Sequence, residues 1–225
     1  MALVDRLLSR LGLDFEGLSL RNEPRSAITP ELAVGARPLP EERGALRAEG
    51  TTHVCSCLEG HVFPKVGFLG RDFETLQLPL RDAMDEDVAR FFPDFFAFAR
   101  EAAQGGGRLL VHCEAGVSRS ATLAIAQLME TGRLSFFTAF ERVRAKRPGV
   151  LPNLGFASQL QRFERPQLGP PAAPSSLARY LREVCAAPVE VEVLDEVLAR
   201  HDHDAPAALQ AIFGEIPRVV LGARR

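Results

Sequence analysis

His112-Cys113-Glu114-Ala115-Gly116-Val117-Ser118-Arg119-Ser120-Ala121-Thr122 is the stretch on which the fold of this chain turns. Just upstream, Gly105-Gly106-Gly107 interrupts the chain, and Arg108-Leu109-Leu110-Val111 is a short apolar run that reads as a buried strand. Downstream, Ala121 to Met129 is almost wholly apolar, the pattern of a buried helix. A strand, loop and helix in that order leave the first amides of the helix unpaired and facing the loop, where they favour an anion.

The residue types in the loop match that geometry. Cys113 lies beside the helix end and near Arg119, and both favour a thiolate over a thiol. Arg119 offers a planar fork of donors that fits two phosphoryl oxygens. Gly116 lets the backbone turn sharply and approach a ligand closely. Ser120 can hydrogen-bond the Cys113 sulfur and help it leave, and Ser118 supports the loop. His112 reads as a group that orients the loop rather than a base, because a thiolate needs no deprotonation. Glu114, Ala115 and Val117 complete the phosphate-binding loop.

The segment resembles the active-site loop of dual-specificity phosphatases, within the cysteine-dependent protein tyrosine phosphatase superfamily. The resemblance is carried by His112, Cys113, Ala115, Gly116, Ser118, Arg119, Ser120 and Thr122, with Glu114 and Val117 where the family varies. Residues 27–35 resemble the opening strands of those domains, and Arg147 to Phe156 with Gln159-Leu160 resembles their closing segment. The resemblance therefore spans about residues 25–165. It implies an α/β fold, a central, mostly parallel sheet flanked by helices. It also implies a phosphoric monoester hydrolase that works through a cysteinyl-phosphate intermediate, without metal or other cofactor. Asn153 is similar to a family position whose side chain helps to hold the loop.

Such a reaction needs a proton donor for the leaving oxygen. Asp82 is the candidate: it follows the alternating run Glu74 to Leu80 and lies 113 − 82 = 31 residues before Cys113, a place comparable to that of the family's acid. Asp85, Glu86 and Asp87 compete with it but read as an acidic helix start. The implied substrates are phosphotyrosine and phosphoserine or phosphothreonine in proteins. Phosphoinositides, phosphoglucans and RNA 5′-phosphates are the alternatives, and a phosphopeptide-binding pseudophosphatase is a further one. Acidic Glu114 and apolar Val117 weigh against a highly anionic lipid.

The whole chain sets broader bounds. At 225 residues and 46% hydrophobic composition it can bury one core plus an appendage. A net charge of −2 implies no general attraction to nucleic acid. No apolar run reaches the roughly 18 residues of a membrane span. Charges interrupt the apolar pattern of residues 1–10, unlike a secretory signal. The four cysteines do not form a secreted framework, and a working Cys113 must be reduced, so a cytoplasmic location is expected. Cys55 and Cys57 read as buried free thiols on one face of a strand; the resemblance adds a second reading, a protective disulfide with Cys113.

Four regions are expected. Residues 1–24 form an N-terminal extension with a short amphipathic helix over 3–11; 25–165 form the catalytic unit; 166–176 are a Pro-rich linker; and 177–225 are a helical appendage that can dock a protein partner. Within the catalytic unit, strands are predicted at 32–34, 53–57, 75–80 and 108–112, and helices at 41–48, 91–103 and 120–129. Pro93 is placed in the first turn of its helix, and Ser135 caps the next. Arg142, Arg144, Lys146 and Arg147 read as a solvated face, and His201 to Asp204 as a solvated turn.

Overall fold

The computed structural model describes residues 24–59, 69–169, 174–185 and 187–213. Five strands form one sheet in the order β1-β2-β5-β3-β4: β1 Arg25–Ala27, β2 Leu32–Gly35, β3 Thr51–Ser56, β4 Glu74–Gln77 and β5 Arg108–His112. The pairs β2–β5, β5–β3 and β3–β4 are parallel, and only the edge pair β1–β2 is antiparallel. Leu109, Leu110 and Val111 of the middle strand are at most 1% exposed, so this strand reads as a continuous apolar run rather than an alternation. Gly35 and Ser56 both pair with His112, which brings the carboxyl ends of β2, β3 and β5 side by side. The loop of residues 113–118 leaves the sheet at that edge.

The flanking helices are α1 Arg43–Ala48, α2 Leu69–Asp72, α3 Phe92–Gln104, α4 Arg119–Gly132, α5 Phe136–Lys146 and α6 Leu154–Leu168. Three further helices follow, α7 Ser176–Arg179, α8 Val191–Arg200 and α9 Ala205–Phe213, with a π-type turn at Tyr180–Val184 between α7 and α8. Helix α4 is the buried helix that the sequence predicts, with Ala121 to Ala126 all sealed from solvent. Pro93 sits in the first turn of α3, where its missing N–H costs nothing, and a 3₁₀ turn at Ala89–Phe91 leads into it. Ser135 caps α5 by accepting from the amide of Thr138 at 3.3 Å.

Three expectations need correction. The strand predicted over 75–80 ends at Gln77, because β4 is an edge strand and Pro79 has no amide to continue the ladder. The region read as a linker starts later than its composition suggests: α6 runs through Pro166 to Leu168 and stops at Gly169, whose φ is +83°. A proline in the last turn removes only one helical bond, and the amide of Gly169 still reaches the carbonyl of Arg165 at 2.9 Å. The turn at 201–204 is not wholly solvated either, since His203 is buried. The amphipathic helix expected over 3–11 lies outside the described residues.

The C-terminal helices share the one core with the rest of the fold. The Tyr180 ring, fully buried, meets the rings of Phe140 and Phe136 at centroid distances of 5.1 and 5.4 Å. Gln161 of α6 accepts from the amide of Leu177 at 2.7 Å, and Ser158 accepts from that of Ala205 at 2.9 Å. Helix α6 thus supplies acceptors to the first amides of both α7 and α9, which no earlier turn can satisfy.

Gly155, at the start of α6, has no room for a side chain: a Cβ there would stand 1.9 Å from the carbonyl oxygen of Met84. Because Met84 follows Asp82 closely, this contact holds the loop that bears Asp82 against α6. Gly155→Ala should therefore destabilise the fold by about 2 kcal/mol or more, as overpacked sites do. A urea midpoint equal to that of the unmodified chain would contradict the packing described.

Candidate active site

The loop between β5 and α4 is shaped from outside by its carbonyls. The carbonyl of His112 accepts from the amide of Cys57 at 2.8 Å, that of Glu114 from Arg37 at 3.3 Å, and that of Val117 from Leu151 at 2.9 Å. The carbonyls of Ala115 and Gly116 accept from the guanidinium of Arg147, at 3.0 Å to Nη2 and 2.8 Å to Nε. Ser118 accepts twice from Thr122, from its amide and its hydroxyl, each at 2.8 Å. A trans peptide is planar, with its N–H opposed to its C=O. Carbonyls turned outward at 114–117 therefore turn the amides of Ala115, Gly116, Val117 and Ser118 inward, as a cradle for an anion.

Gly116 makes this turn possible. Its φ is +72°, and a Cβ there would lie 2.5 Å from the backbone of Gly35 and 2.7 Å from Arg147 Nη2.

Cys113 lies within that cradle, 2% exposed. Its Sγ accepts from the Gly116 amide at 3.2 Å and from the Ser120 hydroxyl at 3.3 Å. Two donors are thus aimed at one sulfur, from the loop's backbone and from the first turn of α4. Arg119, at the first position of α4, donates from Nη1 to the carbonyl of Leu80 at 3.3 Å, and its Nε stands 3.6 Å from Asp82 Oδ2. The guanidinium is thereby held on the side of the cradle where the 80–84 loop passes.

Asp82 is drawn to the same place. Its Oδ1 accepts from Ser118 Oγ at 2.7 Å and from Asn153 Nδ2 at 3.0 Å. Asn153 has two further bonds: its Oδ1 accepts from the Phe156 amide at 3.0 Å, capping α6, and its own amide donates to Ser118 Oγ at 3.3 Å. The three groups bind one another, so Asp82, the loop and the start of α6 are set as a unit. Asp82 is therefore the carboxylate brought to the loop. Glu86 instead forms ion pairs with Arg81 and Arg90, at 2.8 and 3.0 Å. The exposed carboxylate of Glu114 pairs with Arg37 at the rim.

Arg147 is a residue that the sequence reading missed. Expected on a solvated face, it is 2% exposed and also donates from Nη1 to Ser26 Oγ at 3.3 Å. Burying a guanidinium costs several kcal/mol, and hydrogen bonds from a charged donor, at roughly 1.5–3 kcal/mol each, offset that cost. The available signal was its position at the end of α5, where the helical period no longer places it with Arg142 and Arg144.

Cys55 and Cys57 are buried free thiols. Burial first, then the neighbouring Cys55, pushes the Cys57 thiol well above its ordinary range, which makes it a poor nucleophile. A groove of about 780 Å³ between α3 and α6, lined by Phe92, Phe96, Arg100, Gln159 and Phe163 among others, has no cysteine, serine or threonine in its lining. No helix among the described residues is long and apolar enough to cross a membrane.

The family model described as "Dual specificity phosphatase, catalytic domain" matches residues 49–166. The chain is similar to dual specificity protein phosphatase 1B of Arabidopsis thaliana, 34% identical over 140 residues that cover 62% of this chain and 81% of the relative. It is also similar to protein-tyrosine-phosphatase MKP1 of the same plant, 32% identical over 167 residues, or 74% of this chain, but it spans only 21% of that relative's length. Among solved structures, the human tyrosine phosphatase-like serine/threonine/tyrosine-interacting protein superposes with a TM-score of 0.57 at 32% identity, over 64% of this chain and 97% of that one.

His112, fully buried under the loop, offers a pH test. Burial first, with a smaller contribution from the Arg37 charge, lowers its pKa to about 4, despite an opposing hydrogen bond to the Cys113 carbonyl. Between that value and the ordinary 6.5 the unfolded chain binds a proton that the folded chain does not, so stability rises with pH across this window and is level above it. The window is worth about 3 kcal/mol. Urea unfolding at pH 4.5 and 7 should show a pH penalty that shrinks in His112→Gln; equal penalties in the two proteins would contradict this.

Proposed function

The chain belongs to the dual-specificity phosphatase family, and from that premise we propose that it hydrolyses phosphotyrosine and phosphoserine or phosphothreonine in proteins through a cysteinyl-phosphate intermediate. The observation that carries the reading is the convergence on Cys113 Sγ of the Gly116 amide and the Ser120 hydroxyl, with Asp82 held beside Arg119 by Ser118 and Asn153. Nucleophile, anion cradle and acid then occupy one site.

In the first half-reaction the Cys113 sulfur attacks phosphorus and the bond from phosphorus to the leaving oxygen breaks. Asp82, protonated, gives its proton to that oxygen, which would otherwise leave as a costly alkoxide or phenoxide. The amides of residues 115–118 and the Arg119 fork receive the equatorial phosphoryl oxygens, where charge is spread in a loose transition state. In the second half-reaction Asp82, now a carboxylate, takes a proton from water as the water attacks phosphorus. The S–P bond breaks, and the Ser120 hydroxyl stabilises the departing sulfur. Asn153 and Ser118 act by positioning Asp82, and His112, neutral at pH 7, acts by filling the space beneath the loop.

Glu114, exposed at the rim, supports a protein phosphoester over a polyanionic lipid. We assign catalysis to residues 25–165 and place the protein in the cytoplasm, where a thiol nucleophile stays reduced. A protein partner docking through 177–225 would meet Val193 and Phe213, which are exposed there.

Cys113→Ser should lower turnover by on the order of a thousandfold or more while orthovanadate still binds. Steady-state assay with isothermal titration checks both, and substantial residual turnover would remove Cys113 from the role. Asp82→Asn should slow alkyl phosphates by about a hundredfold while sparing aryl phosphates with good leaving groups. Equal losses on the two substrate types would move the acid elsewhere.

A further inference from the structure

The family match ends at residue 166, yet one side chain beyond it reaches the catalytic machinery. Tyr180 donates its hydroxyl to the carbonyl of Pro152 at 2.7 Å. That carbonyl belongs to the same peptide plane as the amide of Asn153, which donates to Ser118 Oγ at 3.3 Å. A peptide plane is rigid, so a bond at each edge fixes its tilt. The residue before it is tied as well, through the Leu151 amide to the carbonyl of Val117. From this fixed plane the Asn153 side chain extends to Asp82 Oδ1 at 3.0 Å.

We propose that Tyr180, on the C-terminal helices, is a positioning residue for the general acid: its bond to Pro152 sets the plane from which Asn153 holds Asp82. The inference rests on the assignment of Asp82 as the acid and extends it beyond the family's own segment.

The surroundings suit a fixed role. The Tyr180 ring is edge-on to Phe140, at 89° between planes, and fully buried, so the hydroxyl has little freedom to turn away. Burial first, then the nearby Cys185, holds the phenol well above its ordinary pKa, and it remains a donor at neutral pH. Helix α7, which leads directly into the turn that bears it, is anchored at its start by Gln161 and by Ser175, whose hydroxyl accepts from the Ala178 amide at 3.3 Å. The C-terminal helices are, on this reading, part of the active site's frame rather than only a tether for partners.

The test is a double-mutant cycle on the full chain with Tyr180→Phe and Asp82→Asn, each assayed on an alkyl phosphate and on an aryl phosphate with a good leaving group. Tyr180→Phe keeps the ring packing and removes only the donor. It should lower kcat on the alkyl phosphate by about tenfold, as slight misplacement of a catalytic group does. The aryl phosphate and the affinity for orthovanadate should stay within about twofold, because neither depends on the acid. In the Asp82→Asn background the same change should have no further effect on the alkyl phosphate. Equal losses on both substrates, or the same tenfold loss without Asp82, would overturn the role. An Asp82→Asn variant that ignores the leaving group overturns the acid assignment itself. An Asp82→Asn variant that behaves as expected beside a wild-type-like Tyr180→Phe overturns only the role of Tyr180. Hydrogen exchange at the Asn153 amide gives a readout independent of turnover: it should quicken in Tyr180→Phe, and an unchanged rate would count against the brace.

Discussion

The outward hold on the carbonyls of residues 114–118 is the constraint on which the rest of the site depends. Left to itself, a six-residue loop between a strand and a helix would turn some carbonyls toward its centre and repel an anion. Here each of those carbonyls has a donor outside the loop, two of them from the single guanidinium of Arg147. Peptide planarity converts those outer bonds into an inner ring of amides. The field of amides around Cys113 is thus made of backbone, and Arg119 adds a formal charge to it. A cradle of this kind is already oriented when the substrate arrives, which is where most electrostatic catalysis gains its advantage over water.

Asp82 is set in a similar way. Asp82 comes from a loop at the edge of the sheet, and three other parts of the chain fix its carboxylate: Ser118 from the cradle, Asn153 from the start of α6, and Arg119 from α4. Gly155 lets the carbonyl of Met84 come close enough for that loop to lie against α6. Asn153 bonds in three directions at once, capping the helix, holding the hydroxyl of Ser118 and presenting its amide to Asp82. The cap is the sort of local bond that any Asn can make before a helix, and the other two exist only because α6 packs beside the cradle.

Much of this was legible in the chain. The glycine break, the apolar run and the apolar helix around residues 105–129 set a strand–loop–helix unit, and the thiol and guanidinium inside it declared the chemistry. Alternation between 74 and 80 placed Asp82 near the correct edge of the sheet, even though the strand stops at Gln77. Helix starts at Pro93 and Ser135 obeyed local rules of dihedral angle and capping. Arg147 was not legible. Among three other cations it looked like a solvated face, and its burial depends on the spacing between α5, β1 and the loop rather than on its neighbours in sequence. His203 and the continuation of α6 through Pro166 escaped for the same reason: tertiary packing overrode a polar run in one case and a helix breaker in the other.

Sequence alone therefore determined the parts that are local: the strand, loop and helix over 108–129, most of the other strands and helices of the catalytic unit, where a thiol would meet a helix end, and which side chains could cap. These follow from periodicity, dihedral preference and unpaired amides, all of which act over a few residues. Tertiary structure decided what required distant segments to meet. Only there does Arg147 turn the loop's carbonyls outward, Asn153 find Asp82, and Tyr180 reach Pro152 from 28 residues away. Such bonds form in a shared, water-poor core whose geometry is a property of the whole packing, so no short window of the chain contains it.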